Sequence, residues 1–152
     1  MKKISNYILL LLPLALGLVA SLMIFLPTLI YSDTDSVFTG VETVFGTEFA
    51  NLGIFGSGQI EPSFLGMFAF GLPLVAGLLA LLVPKKPLFY GIIFAAGAVL
   101  LVLLPTYAVA SVTILGDRSV LDITWTMGAG LIIAIIAAAS GVVTSIVLML
   151  KK

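Results

Sequence analysis

Four stretches of this 152-residue chain contain no charged side chain: residues 4–32, 62–84, 87–116 and 123–150. They hold 29, 23, 30 and 28 residues, and all 14 charges fall in the other 42. Each stretch exceeds the roughly 18–20 apolar residues that cross a bilayer. A charge at the centre of a span costs about 2.5–3.5 kcal/mol, and none is placed there. Charged residues make up 9% of the chain, against roughly 25% in a soluble domain. The pattern predicts an all-α integral membrane protein, a four-transmembrane-helix antiparallel bundle with lipid as solvent. The spans fall at about residues 7–30, 64–83, 88–109 and 125–150. Outer loops fall at about 31–63 and 110–124, all within one membrane domain.

The first span follows Met-Lys-Lys in the manner of a secretory signal. Its apolar run from Tyr7 to Tyr31 is longer than the roughly 7–15 residues of a signal core. It reads as an uncleaved membrane helix. Lys2, Lys3, Lys85, Lys86, Lys151 and Lys152 then share one side with no acid among them. Asp33, Asp35, Glu42, Glu48, Glu61, Asp117 and Asp122 share the other with Arg118, giving that side a net charge of −6. The positive-inside rule predicts a cell-membrane protein with both termini cytoplasmic.

Pro84-Lys85-Lys86-Pro87 makes a minimal turn, so spans two and three form an antiparallel pair. The apolar run of span three continues to Leu115, so that helix is expected to project past the bilayer. Gly116 to Ser119 reads as a turn, and Asp122 or Thr124 as the N-cap of span four. Helices in lipid associate by close approach, which small residues permit. Span four carries two ladders, Gly130, Ala134 and Ala138 on one face, Ala137, Gly141 and Ser145 on another. They are read as helix-packing positions, with one ladder open to a dimer or partner. Spans one to three contribute Gly17 and Ser21, Ala76 and Ala80, and Gly91 and Ala95.

The 29-residue outer segment, residues 33–61, is the place for a distinctive site. Phe38, Val41, Phe45, Phe49 and Leu52 follow helical spacing. Val37, Thr39, Val41, Thr43, Phe45, Thr47 and Phe49 alternate as a strand would. The helical reading is taken, capped by Asp35 or Ser36, with an irregular turn from Gly53 to Gly58. Phe45, Phe49 and Phe55 are the natural anchors for a partner.

The chemistry is narrow. The chain has no His and no Cys, which removes imidazole bases, thiol nucleophiles, disulfides and the usual zinc sites. The acids lack the Ca²⁺-loop spacing. Arg118 between two aspartates reads as a surface pair, not catalysis. No ionisable residue lies in a span, unlike a transporter. Ser140, Thr144 and Ser145 read as bonded to their own helix. No basic stripe suits nucleic acid. The order of helices and loops resembles the claudin and tetraspan class in topology alone. The Trp and Cys pair of the claudin loop signature are missing, so no residue role is carried over. No catalytic residue, metal or cofactor is expected, and the partners are the bilayer and a membrane protein or a second copy of the chain. The reading is a non-enzymatic accessory or assembly subunit working through its outer loop and small-residue helix faces. The alternative is an oligomeric channel, permease component or holin-like pore.

Overall fold

The computed structural model describes residues 2–151, with side chains from residue 8 onward. Lys2, Lys3 and Tyr7 therefore lie outside the described side chains, and Lys152 outside the described residues. Helix α1 spans Lys2–Leu22 and passes through a 3₁₀ turn, Met23–Phe25. Proline disfavours helix at the residue before it. Leu26, ahead of Pro27, is accordingly extended at φ −100° and ψ 165°. The chain then runs as strand β1, Pro27–Tyr31, and strand β2, Ser36–Thr39. Next come helix α2, Gly40–Phe45, strand β3, Thr47–Asn51, a 3₁₀ turn, Gly53–Phe55, and strand β4, Gly56–Ile60. Helices α3, Phe64–Leu82, and α4, Pro87–Tyr107, follow. Strands β5, Ala110–Ile114, β6, Asp117–Leu121, and β7, Trp125–Met127, lead into helix α5, Ala129–Leu150.

The all-α expectation is therefore corrected. The protein is mixed α/β, with sheets of order β2-β1-β7 and β3-β4-β5-β6, antiparallel throughout. Among the described residues, four helices remain long and apolar enough to cross a membrane: residues 8–25, 64–82, 87–107 and 129–150. The apolar runs continue past these helices as strands, not as longer helices. Residues 110–114 read Ala-Ser-Val-Thr-Ile. Their β-branched side chains favour a pleated surface over another helical turn. The helix ending at Tyr107 thus stops short of the expected 109. The fourth helix starts at Ala129 behind an N-cap at Gly128, not at 125 behind Asp122 or Thr124.

The four long helices form a ring in which α1 packs on α3, α3 on α4, α4 on α5, and α5 back on α1. Small residues make this closure. A Cβ on Gly17 would strike the backbone of Pro73, and one on Gly77 would reach the backbone of Leu14 and Pro13 at 2.9 Å. Gly141 lies under the ring of Phe94, where a Cβ would come within 2.5 Å. Ala20, Ala69, Phe70, Leu101, Leu104, Leu131, Ala134, Ala137 and Ala138 belong to one buried core. Ser21 adds a directed link, its Oγ donating to the Phe70 carbonyl at 2.5 Å.

The strands gather at one end of this ring, opposite the turn at Lys85 and Lys86. They do not form two separate loops. β4, from the first interhelical segment, pairs along its length with β5 from the second, Gly56 with Ile114 through Ile60 with Ala110. β1 likewise pairs with β7, Leu29 with Met127 through Tyr31 with Trp125. Both sheets therefore stitch distant parts of the chain into one cap.

Candidate interaction surface on the β cap

The cap is fastened to the helices by polar groups, each with a defined partner. Thr39 is the N-cap of α2. Its hydroxyl accepts from the Glu42 N–H, while the Glu42 carboxylate accepts from the Thr39 N–H at 2.7 Å. This reciprocal capping box begins the helix at Gly40, not at Asp35 or Ser36. Gly46, at φ +84°, ends it after Phe45. The helix therefore covers only part of the expected helical pattern, and residues 47–51 go to β3. The buried hydroxyls of Thr28 and Thr43 meet at 3.3 Å, tying β1 to α2. The Gly128 N–H donates to the Thr28 carbonyl at 2.8 Å, where α5 enters the bundle.

An aromatic chain crosses the cap. Trp125 stands edge-on to Phe38 at 5.8 Å and tilted against Tyr31 at 6.2 Å, and Phe38 meets Phe49 edge-on at 6.3 Å. The Trp125 indole N–H donates to the Ala108 carbonyl at 3.2 Å, linking this chain to the end of α4. Phe49 also lies over Gly58, where a Cβ would meet the edge of its ring at 2.6 Å. Loss of solvent, with help from the neighbouring Asp33 carboxylate, holds the Tyr31 hydroxyl above its ordinary pKa. It stays a protonated donor through the neutral range.

The three expected anchors separate. Phe49 belongs to the aromatic chain, Phe45 is exposed at the end of α2, and Phe55 lies at the far end of the four-stranded sheet. There the 3₁₀ turn meets the β5–β6 hairpin, the Leu115 N–H donating to the Phe55 carbonyl at 3.2 Å. The Leu52 N–H donates to the Gly56 carbonyl at 2.8 Å, and the Asn51 side chain accepts from the Gly53 N–H at 2.8 Å. Gly56 faces the Thr113 backbone so closely that a Cβ could not fit. The segment expected as an irregular turn is thus half 3₁₀ turn and half strand.

This tip displays Leu52, Ile54, Phe55, Ile114 and Leu115, all exposed; Ile54 keeps 88% of its surface and Leu115 77%. The hairpin turn is the two-residue Leu115–Gly116, at φ +51° and +90°, flanked by the Ile114–Asp117 pair. Two left-handed residues make a turn of the type that suits a strand pair. Such positions favour Asn, Asp and Gly. A leucine there costs about 1–2 kcal/mol. Sequence reasoning placed this turn one residue late, beginning at Gly116, and so missed Leu115 as a tip residue. The available signal was the Leu-Gly-Asp junction after an apolar, β-branched run.

The ladders on α5 lie inside the ring. Gly130, Ala134, Ala137, Ala138, Gly141 and Ser145 are all buried. A Cβ on Gly130 would meet Leu26 and the Pro27 carbonyl at 2.8 Å, and Ser145 faces Gly91. Ser140, Thr144 and Ser145 each donate to the carbonyl four residues back, at 2.8 Å. The acids of the cap are dispersed: among the described residues, no group of three or more could hold a metal. Arg118 pairs with Glu61, joining β6 to the link between β4 and α3. No family model, curated protein or solved structure matches this chain.

Proposed function

We propose that the protein is a four-span accessory or assembly subunit of the cell membrane, non-enzymatic, with both termini cytoplasmic. On this reading the helices anchor the chain and the β cap holds a docking tip on the outer side. The placement is supported by the six lysines on one side of the spans and the net charge of −6 on the other. The docking role is carried by one observation: Leu115, large, apolar and exposed, sits in a left-handed turn beside Ile54 and Phe55. Local strain of this kind persists where surrounding structure enforces it, and points toward a role beyond folding. The partner is a membrane protein offering an apolar pocket, and the cap's acids suit a basic rim. The buried ladders on α5 do not add to this surface.

Leu115→Asn separates docking from folding. The substitution relaxes the turn, so the melting temperature in mild detergent is expected to hold or rise. Association with a stoichiometric co-purifying membrane protein is expected to fall at least tenfold, as for an interface anchor. Ile54→Ser should act in the same direction. Undiminished association in both variants would remove the tip from the account.

A further inference from the structure

At the opposite end of the bundle a groove runs between α4 and α5. Its upper part, about 210 Å³, is lined by Gly91, Ala95, Val142 and Ser145 along its floor and walls. A second hollow of about 390 Å³ continues it toward the turn and is lined by Lys85 and Lys86. The two share Pro87, Leu88, Ile92 and Met149, so they form one channel open to the side. The floor exists because Gly91 lets α4 approach Ser145, where a Cβ would come within 2.9 Å. The one hydroxyl there, on Ser145, is already bonded to the Gly141 carbonyl at 2.8 Å. The groove therefore asks for hydrocarbon and offers no polar contact along its length. From Pro87 to Ala95 it extends about 12 Å along the helix axis.

The turn fixes the mouth. The Lys86 N–H donates to the Val83 carbonyl at 3.1 Å, and the Phe89 N–H donates to the Lys86 carbonyl at 3.1 Å. Pro84 and Pro87 bracket the pair, so both lysines project from a short, constrained link. All seven acids of the chain belong to segments at the cap end. An apolar slot with Lys86 at its mouth, beside Lys85, which has a contact of its own, matches an anionic glycerophospholipid, with an acyl chain in the slot and its phosphate at Lys86. Basic pockets between membrane helices are recognised sites for such headgroups.

We infer that the α4–α5 groove, with Lys86 at its mouth, is a binding site for an anionic phospholipid. The inference rests on the membrane placement proposed above and is independent of docking at the cap. The test uses the full chain in a non-ionic detergent, with phosphatidylglycerol and phosphatidylcholine as probes, read by native mass spectrometry and melting temperature. The wild type should retain one phosphatidylglycerol in preference to phosphatidylcholine. Lys86→Gln should weaken that preference about fivefold. Lys151→Gln removes the same charge outside the groove and should leave the preference in place. Ile92→Trp, at a lipid-exposed wall, should block retention of both lipids without lowering the melting temperature of the lipid-free protein.

Equal retention of the two lipids by the wild type would overturn the inference. So would an equal loss in Lys86→Gln and Lys151→Gln, which would mean a diffuse field, or an equal thermal shift with inorganic phosphate alone. Flotation with phosphatidylcholine vesicles keeps the two readings apart. Flotation without lipid preference removes this inference alone, and failure to float removes the membrane placement as well.

Discussion

The bundle and the cap solve the same problem, closing a structure around a small core, by different means. In the bundle, backbones approach because side chains are small, and dispersion between close surfaces does the holding. Gly17 against Pro73 and Gly141 under Phe94 are the contact points. In the cap, directed hydrogen bonds dominate: ladder pairs between β4 and β5, the Thr39 capping box, and the Trp125 indole on the Ala108 carbonyl. The difference teaches where each region is fragile. The bundle fails by addition of atoms; the cap fails by loss of a donor or acceptor, and by addition only where backbones close up, as at Gly56 against Thr113.

The sharpest way to break this comparison is to add one methyl group in the bundle. Gly17→Ala drives a Cβ into the Pro73 backbone, which cannot move aside as a flexible side chain would. It should destabilise the protein by about 3 kcal/mol or more, read from chemical unfolding in detergent. Gly71→Ala, at a helix position with open space around it, should be neutral or slightly stabilising. Equal effects at the two positions would deny that close approach closes the ring.

In the cap, Thr39→Ala removes the capping box and should cost about 1 kcal/mol. Hydrogen exchange should rise in residues 40–45 and leave the long helices unchanged. Each region also holds a buried hydroxyl with no hydrogen-bond partner among the described residues, Tyr90 in the bundle and Ser111 on β5. Tyr90→Phe and Ser111→Ala should therefore be neutral or stabilising by up to about 1 kcal/mol, since an unbonded buried hydroxyl carries a desolvation cost. A clear loss of stability in either would mean that the hydroxyl has a partner. The smallest effect is expected at Arg118→Ala. Its exposed pair with Glu61 should contribute under about 1 kcal/mol and fade in high salt.

The two regions differ equally in how well they can be read from sequence. The long helices follow from length and charge alone, because each fills a charge-free apolar stretch long enough to cross a membrane. Their ends do not. A short apolar run such as Ala110–Ile114 serves a helix or a strand, and periodicity over so few residues does not separate them. The alternation from Val37 to Phe49 carries a real strand signal, but α2 interrupts it. Thr39 and Glu42 meet at capping distance, and Gly46 stops the helix. Pairing of β4 with β5 joins residues fifty or more apart and leaves no local trace. The candidate tip is hidden for the same reason. Phe55 stands out in the sequence as an aromatic of the outer segment, but Leu115 becomes its neighbour only when that sheet forms.

The central claim is that the cap and the lysine turn lie on opposite sides of a membrane. The chain has no native Cys, so single introduced cysteines report without background. Glu48→Cys, in β3, and Lys86→Cys, in the turn, should be compared in intact cells with a membrane-impermeant maleimide. The account predicts labelling at position 48 in intact cells and at position 86 only after lysis. Labelling of both before lysis, or of position 86 alone, would contradict it.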